Sequence, residues 1–87
     1  MHAVVVRVSI GDPENAQEEL RTRVVPAVSQ APGFVAGYWT RKDNEGLSMT
    51  VWESEDAARD AAERITRNMP QTVELQDYEI REVVANA

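Results

Sequence analysis

Few side chains in this sequence are equipped for chemistry. It has no cysteine, a single histidine at His2, and two tryptophans, Trp39 and Trp52. Without thiols there is no thiolate nucleophile, no disulfide and no thiolate metal site. One imidazole and no spaced carboxylate set leave metal catalysis without ligands, and hydrolysis by an activated serine lacks both a base and a glycine-flanked elbow. Phosphate-cradling glycine loops are absent. What remains is a group of aromatic and apolar residues with one oddly placed cation. Arg7 stands in a valine-rich run, Val4 to Val8, where a guanidinium needs an acid, a carbonyl or an anionic ligand as partner. An ion pair at an interface and a contact to a ligand are both open. His2 stands close to the first residue and reads as a surface or edge residue.

The chain that must position these residues has 87 residues, 43% of them hydrophobic, with four Gly and four Pro. That composition fits one compact domain over residues 1–87 and excludes a disordered or collagen-like chain. Fifteen acidic residues against nine basic ones give a net charge of −6. No basic run exceeds Arg41-Lys42, so a nucleic-acid partner is not expected. The apolar stretches fall short of the roughly 18 residues a membrane span requires, and a cytoplasmic protein without membrane contact is expected. A chain of 9.7 kDa buries only about two-thirds of its unfolded surface, so a second subunit would add needed stability.

Four strand patterns and two helical ones run along the sequence. The first strand spans His2 to Ile10, with Val4, Val6, Val8 and Ile10 on one face and Ala3, Val5, Arg7 and Ser9 on the other. Asp12-Pro13-Glu14 signals a helix start, followed by an apolar stripe at Ala16, Leu20, Val24, Ala27, Val28 and Ala31. Pro26 interrupts that stripe and crowds the Thr22 carbonyl, which predicts a kink or a tightening of the helix. A hairpin follows: Phe34 to Arg41, a turn over Lys42 to Glu45, then Gly46 to Glu53. Ser54 caps a second helix, Glu55 to about Asn68, with an inward stripe Ala57, Ala58, Ala61, Ala62, Ile65 and Met69. Glu55–Arg59, Asp60–Arg64 and Glu63–Arg67 are spaced as ion pairs on its solvated face. Pro70 ends it, and Thr72 to Val84 reads as the last strand.

The order β-α-β-β-α-β predicts an α+β, ferredoxin-like domain with a four-stranded antiparallel sheet and both helices on one face. The other sheet face, roughly 400 Å² in flat projection for four strands about 4.8 Å apart, then needs a cover. A loop over Lys42 to Glu45 sets Arg41 opposite Gly46, Trp39 opposite Ser48, Gly37 opposite Thr50 and Val35 opposite Trp52. In that alignment Phe34, Ala36, Tyr38, Leu47, Met49 and Val51 meet the helices. Val35, Trp39, Ser48, Thr50 and Trp52 line the open face beside Val5, Arg7 and Ser9. Such a lining suits a dimer core or a pocket for a flat organic ligand.

Pro32-Gly33-Phe34-Val35, the hairpin after it, and Val51-Trp52-Glu53-Ser54-Glu55-Asp56-Ala57 resemble the antibiotic biosynthesis monooxygenase family of dimeric α+β barrels. The resemblance implies a homodimer with sheets packed face to face. It also implies a cavity in each subunit, between sheet and helices or near the barrel mouth. Some members oxidise aromatic substrates without a cofactor. Carried onto this chain, that chemistry falls to Arg7 for anion stabilisation, Trp39 and Trp52 for stacking and Tyr38 or His2 for hydrogen bonding, with Trp39, Trp52, Val5, Val35 and Thr50 against the ligand. Trp52 reads first as a packing residue. Members that degrade haem use an Asn on the first strand, a Trp within the second helix and a later His. Here the first strand reads Val4-Val5-Val6-Arg7, the second helix carries Ala61 and Ala62, and no His follows His2. No haem, metal or other cofactor is therefore expected. Two functions remain open: a small cofactor-independent monooxygenase acting on a planar aromatic or quinol-type metabolite, and a non-catalytic dimeric barrel that binds a small molecule or serves in assembly.

Overall fold

The computed structural model describes residues 1–87. Strand β1 (His2–Ile10) leads to α1 (Pro13–Glu19), a π-helical turn (Leu20–Val24) and α2 (Val25–Ser29), which follow one another without a break. Strands β2 (Phe34–Lys42) and β3 (Glu45–Trp52) form a hairpin, and α3 (Glu55–Arg67) leads to β4 (Val73–Glu82). The strands are antiparallel in the order β2-β3-β1-β4, as the ferredoxin-like reading requires. No helix is long and apolar enough to cross a membrane.

Local signals set the element ends. Asp12 accepts from the Asn15 backbone N–H at 3.3 Å and Ser54 from that of Ala57 at 3.1 Å, so both helix starts are capped by the residues expected to cap them. The hairpin turn is tighter than the four-residue loop anticipated: Lys42 pairs with Glu45, leaving only Asp43 and Asn44 between the strands. Asp43 takes a left-handed backbone, φ 54°, which a short polar residue tolerates.

Pro26 acts in the opposite sense to a tightening. Lacking an N–H for the Thr22 carbonyl, it is preceded by a widened turn in which the Val25 N–H reaches back to Leu20 O.

The two helical layers meet the sheet differently. Ala58, Ala61 and Ala62 on α3 are buried against Val4, Val6 and Trp52, because small side chains let the helix lie close to the strands. The first helical layer packs on the core through Val28 and, just past its end, Ala31, while Leu20 and Val24 border a cavity. Ten of the 87 residues are buried and the exposed surface is 5996 Å², above the roughly 5,000 Å² expected of a monomer of this mass. A thin core thus leaves room elsewhere. Of the ion pairs expected on α3, Glu55–Arg59 and Glu63–Arg67 form at 3.1 and 3.0 Å. Asp60–Arg64 does not form, and Arg64 borders a cavity instead.

Candidate functional site

The strand register decides which side chains share a face. Trp39 pairs with Ser48 and Gly37 with Thr50, as the turn dictates. On the other side of β3, Thr50 pairs with Val4 and Ser48 with Val6. Trp39, Ser48, Thr50 and Trp52 therefore lie with Val4 and Val6 beneath the helices, and the expectation that they line the open face beside Val5 and Arg7 is overturned. The opposite set, Ala36, Tyr38, Met49 and Val51, joins Ala3, Val5 and Arg7 on the open face. A bulge between Phe34 and Ala36 adds a second correction: Phe34, not Val35, pairs with Trp52. Phe34 turns toward the helices while Val35 stays exposed.

The two tryptophans have different surroundings. Trp52 is 1% exposed; its ring meets Phe34 edge to face at 5.5 Å, and its indole N–H donates to the Thr50 hydroxyl at 2.9 Å. Thr50 is thereby occupied as the acceptor for a buried donor. Trp39 is half-buried, its indole N–H has no partner within the chain, and the far edge of its ring lies over Gly37, 2.9 Å from where a Cβ would stand. Glycine at 37 is what allows the ring to fold back against its own strand.

Trp39 forms a wall of a cavity of about 1000 Å³ between the sheet and the first helical layer. Val6, Val8, Leu20, Val24, Val28 and Ile65 supply much of its apolar surface, and Trp52 borders it from the packed end. Polar residues stand at intervals: Gln17, Ser48, Asn68, Arg23, Arg41 and Arg64. Arg23 is held by Glu19 at 3.2 Å, and the Thr72 hydroxyl donates to the same carboxylate at 3.0 Å, tying α1 to the start of β4 at the cavity edge. The Asn68 amide donates to Arg64 O at 2.9 Å and closes the last turn of α3. The π-helical turn supplies Leu20, Arg23 and Val24 to this lining, a recurring use of such turns at functional sites.

Arg7, Tyr38, Val5, Val35 and Thr50 do not line this cavity. Arg7 lies on the open face, 3.3 Å from Asp77 and 3.7 Å from Glu79, which also holds Arg81 at 2.9 Å. The partner it required is thus an acid of the neighbouring strand. Tyr38 is 71% exposed on the same face, alongside Leu47 and Met49. His2 pairs with Trp52 across the strands, and its Nδ1 is buried without a partner.

Of the residues singled out from the sequence, Trp39 and Trp52 are brought to the cavity. The arginines around it were missed because each read as a surface charge. A signal existed for Arg64 and Asn68, which continue the spacing of Ala57 and Ala61 along one side of the α3 stripe.

A four-stranded sheet of this order, covered by helices on one face over a ligand-sized cavity, defines an α+β protein of ferredoxin-like topology. No protein-family model matches the chain, and no characterised sequence matches it. Solved structures do. The cofactor-independent oxygenase SnoaB from Streptomyces nogalater superposes with a TM-score of 0.72 at 21% identity, covering 98% of this chain and 94% of that one. A Deinococcus radiodurans protein provisionally named an antibiotic biosynthesis monooxygenase gives 0.66 at 14% identity, over 100% and 96% of the two chains. The heme-degrader MhuD from Mycobacterium tuberculosis, solved with two hemes in its active site, gives 0.58 at 24% identity, over 97% and 98%. The fold of this protein is that of the antibiotic biosynthesis monooxygenases.

Proposed function

We propose that the protein is a small cofactor-independent monooxygenase acting on a planar aromatic or quinol-type metabolite, bound in the cavity between the sheet and the first helical layer. The observation that carries this reading is Trp39: a half-buried indole with a free N–H, set in the wall of an apolar cavity of about 1000 Å³, gives a flat ring both a stacking surface and a hydrogen-bond donor. The likeness to SnoaB supports the oxygenase reading.

No Asp, Glu, His, Tyr or Lys borders the cavity, so the wall offers no base of ordinary pKa. The substrate must then be acidic in its own right, as an anthrone or quinol is, and release its proton to water. The Trp39 N–H donates to the resulting anion and stabilises it. Electrons pass from that anion to dioxygen, a carbon–oxygen bond forms, and loss of water leaves a carbonyl, which balances one dioxygen against one oxidised methylene and one water.

The same missing base favours a second reading, a binding protein that holds an aromatic ligand without turning it over. Oxygen uptake with an anthrone, in the absence of flavin, haem and metal, separates the two. Uptake that falls on the order of tenfold or more in Trp39→Ala, with the fold retained, is the expected result. Tight binding without uptake assigns the protein to the second reading, and no binding at all removes both.

The homodimer belongs to this proposal as well. Tyr38, Leu47 and Met49 leave an apolar patch on the open face at 71%, 41% and 44% exposure, and a second copy of that face is self-complementary. Sedimentation is expected to give twice the chain mass, and Met49→Glu to give the monomer; a well-folded monomer of the unaltered chain at micromolar concentration rejects the dimer.

A further inference from the structure

The charge lining the cavity is opposite to the charge of the protein. Fifteen acids and nine bases give the chain a net charge of −6. Three of the nine bases, Arg23, Arg41 and Arg64, nonetheless border one cavity that no acid borders.

Their pairing differs. Arg23 is neutralised by Glu19 at 3.2 Å. Neither Arg41 on β2 nor Arg64 on α3 forms a salt bridge, although the helix-surface arginines Arg21, Arg59 and Arg67 all do. Asp60, one turn before Arg64, borders a smaller neighbouring cavity with it but makes no ion pair to it. Both arginines are exposed and both border the cavity, which puts them where it meets solvent, while much of the remaining wall is apolar. Trp39, two residues before Arg41 on β2, places a ring surface beside one of them.

We propose that the ligand of this cavity is an aromatic acid. Its rings lie against Trp39 and the apolar wall, and its carboxylate is held at the mouth by Arg64 and Arg41. The proposal rests on the reading of the cavity as an aromatic-binding site and adds the class of ligand. A guanidinium presents paired donors that match the two oxygens of a carboxylate, and it stays charged at any physiological pH. In a protein that otherwise repels anions, two unneutralised arginines over an apolar cavity select the anion that also carries a ring.

The test compares an anthracene carboxylate with the matching carboxamide, which has the same shape and no charge, by equilibrium titration of the full chain. The carboxylate is expected to bind about tenfold or more tightly than the amide, and added salt should weaken only the carboxylate. Arg64→Gln should reduce that preference, the double change Arg41→Gln with Arg64→Gln should abolish it, and Arg64→Lys should restore part of it. The thermal midpoint, the check on folding, should not move. Equal affinity for acid and amide in the unaltered protein, or an unchanged preference in the double variant, overturns the proposal while leaving the aromatic site in place. Binding of neither compound overturns the aromatic site and this inference together.

Discussion

Trp52 and Trp39 lie on the same sheet face, on neighbouring strands, yet one completes a core and the other borders a void. The difference comes from what covers them. Above Trp52 the α3 surface is Ala58, Ala61 and Ala62, small enough for close approach, and the one polar atom of the ring is satisfied by Thr50. Above Trp39 the covering helix is widened between Leu20 and Val24, just before Pro26, and a cavity of about 1000 Å³ lies between it and the strands. Stability is concentrated at the α3 end and space at the α1 end. A site built in this way can vary its lining without disturbing the core that supports it.

That division has measurable consequences, beginning with the largest. Trp52→Ala is expected to cost about 3–5 kcal/mol, enough to unfold much of a small domain, as read by urea denaturation; a loss no greater than that of Trp39→Ala would show that the core does not centre on Trp52. Next comes Gly33, whose φ is 85° and where an added Cβ would stand 2.8 Å from that of Ala57, leaving no room for a side chain. Gly33→Ala should cost about 1–3 kcal/mol, where Gly37→Ala, whose Cβ would meet the Trp39 ring at 2.9 Å and the Thr50 methyl at 3.3 Å, should cost less and displace the ring into the cavity. Thr50→Val keeps the shape and removes the acceptor for the Trp52 N–H, for a loss of about 1–3 kcal/mol. The smallest expected effect is Trp39→Ala, with a change of about 1 kcal/mol or less in stability; a loss as large as that of Trp52→Ala would make Trp39 a core residue and remove the reason to place a ligand there.

The element boundaries were legible because their causes are local. Asp12 and Ser54 cap the turns that follow them, Pro70 ends a helix, and the turn at Asp43-Asn44 sets the pairing of Trp39 with Ser48. The face assignment was not legible, because β1 is apolar on both faces and its alignment with β3 is a contact between distant segments. Val4 opposite Thr50 moves both tryptophans to the helix side, and nothing within the hairpin specifies that. The bulge at Val35 escaped for the same reason, since a single extra residue leaves the hydrophobic pattern intact. Pro26 was recognised as a disturbance, but its sense depends on the packing of the helix. The arginines around the cavity resembled surface charge, and only their shared cavity and missing partners set them apart.

Because the chain has two tryptophans, its ¹⁵N-correlated spectrum contains two indole N–H signals, which Trp39→Phe assigns. Titration with a planar aromatic ligand is expected to shift the Trp39 indole signal and the backbone amides of Ser48 and Arg64, while the Trp52 indole and the amides of Arg7, Tyr38 and Met49 move little. Shifts concentrated at Arg7, Tyr38 and Met49, with the Trp39 indole unmoved, would put the ligand on the open sheet face and contradict a site between sheet and helices.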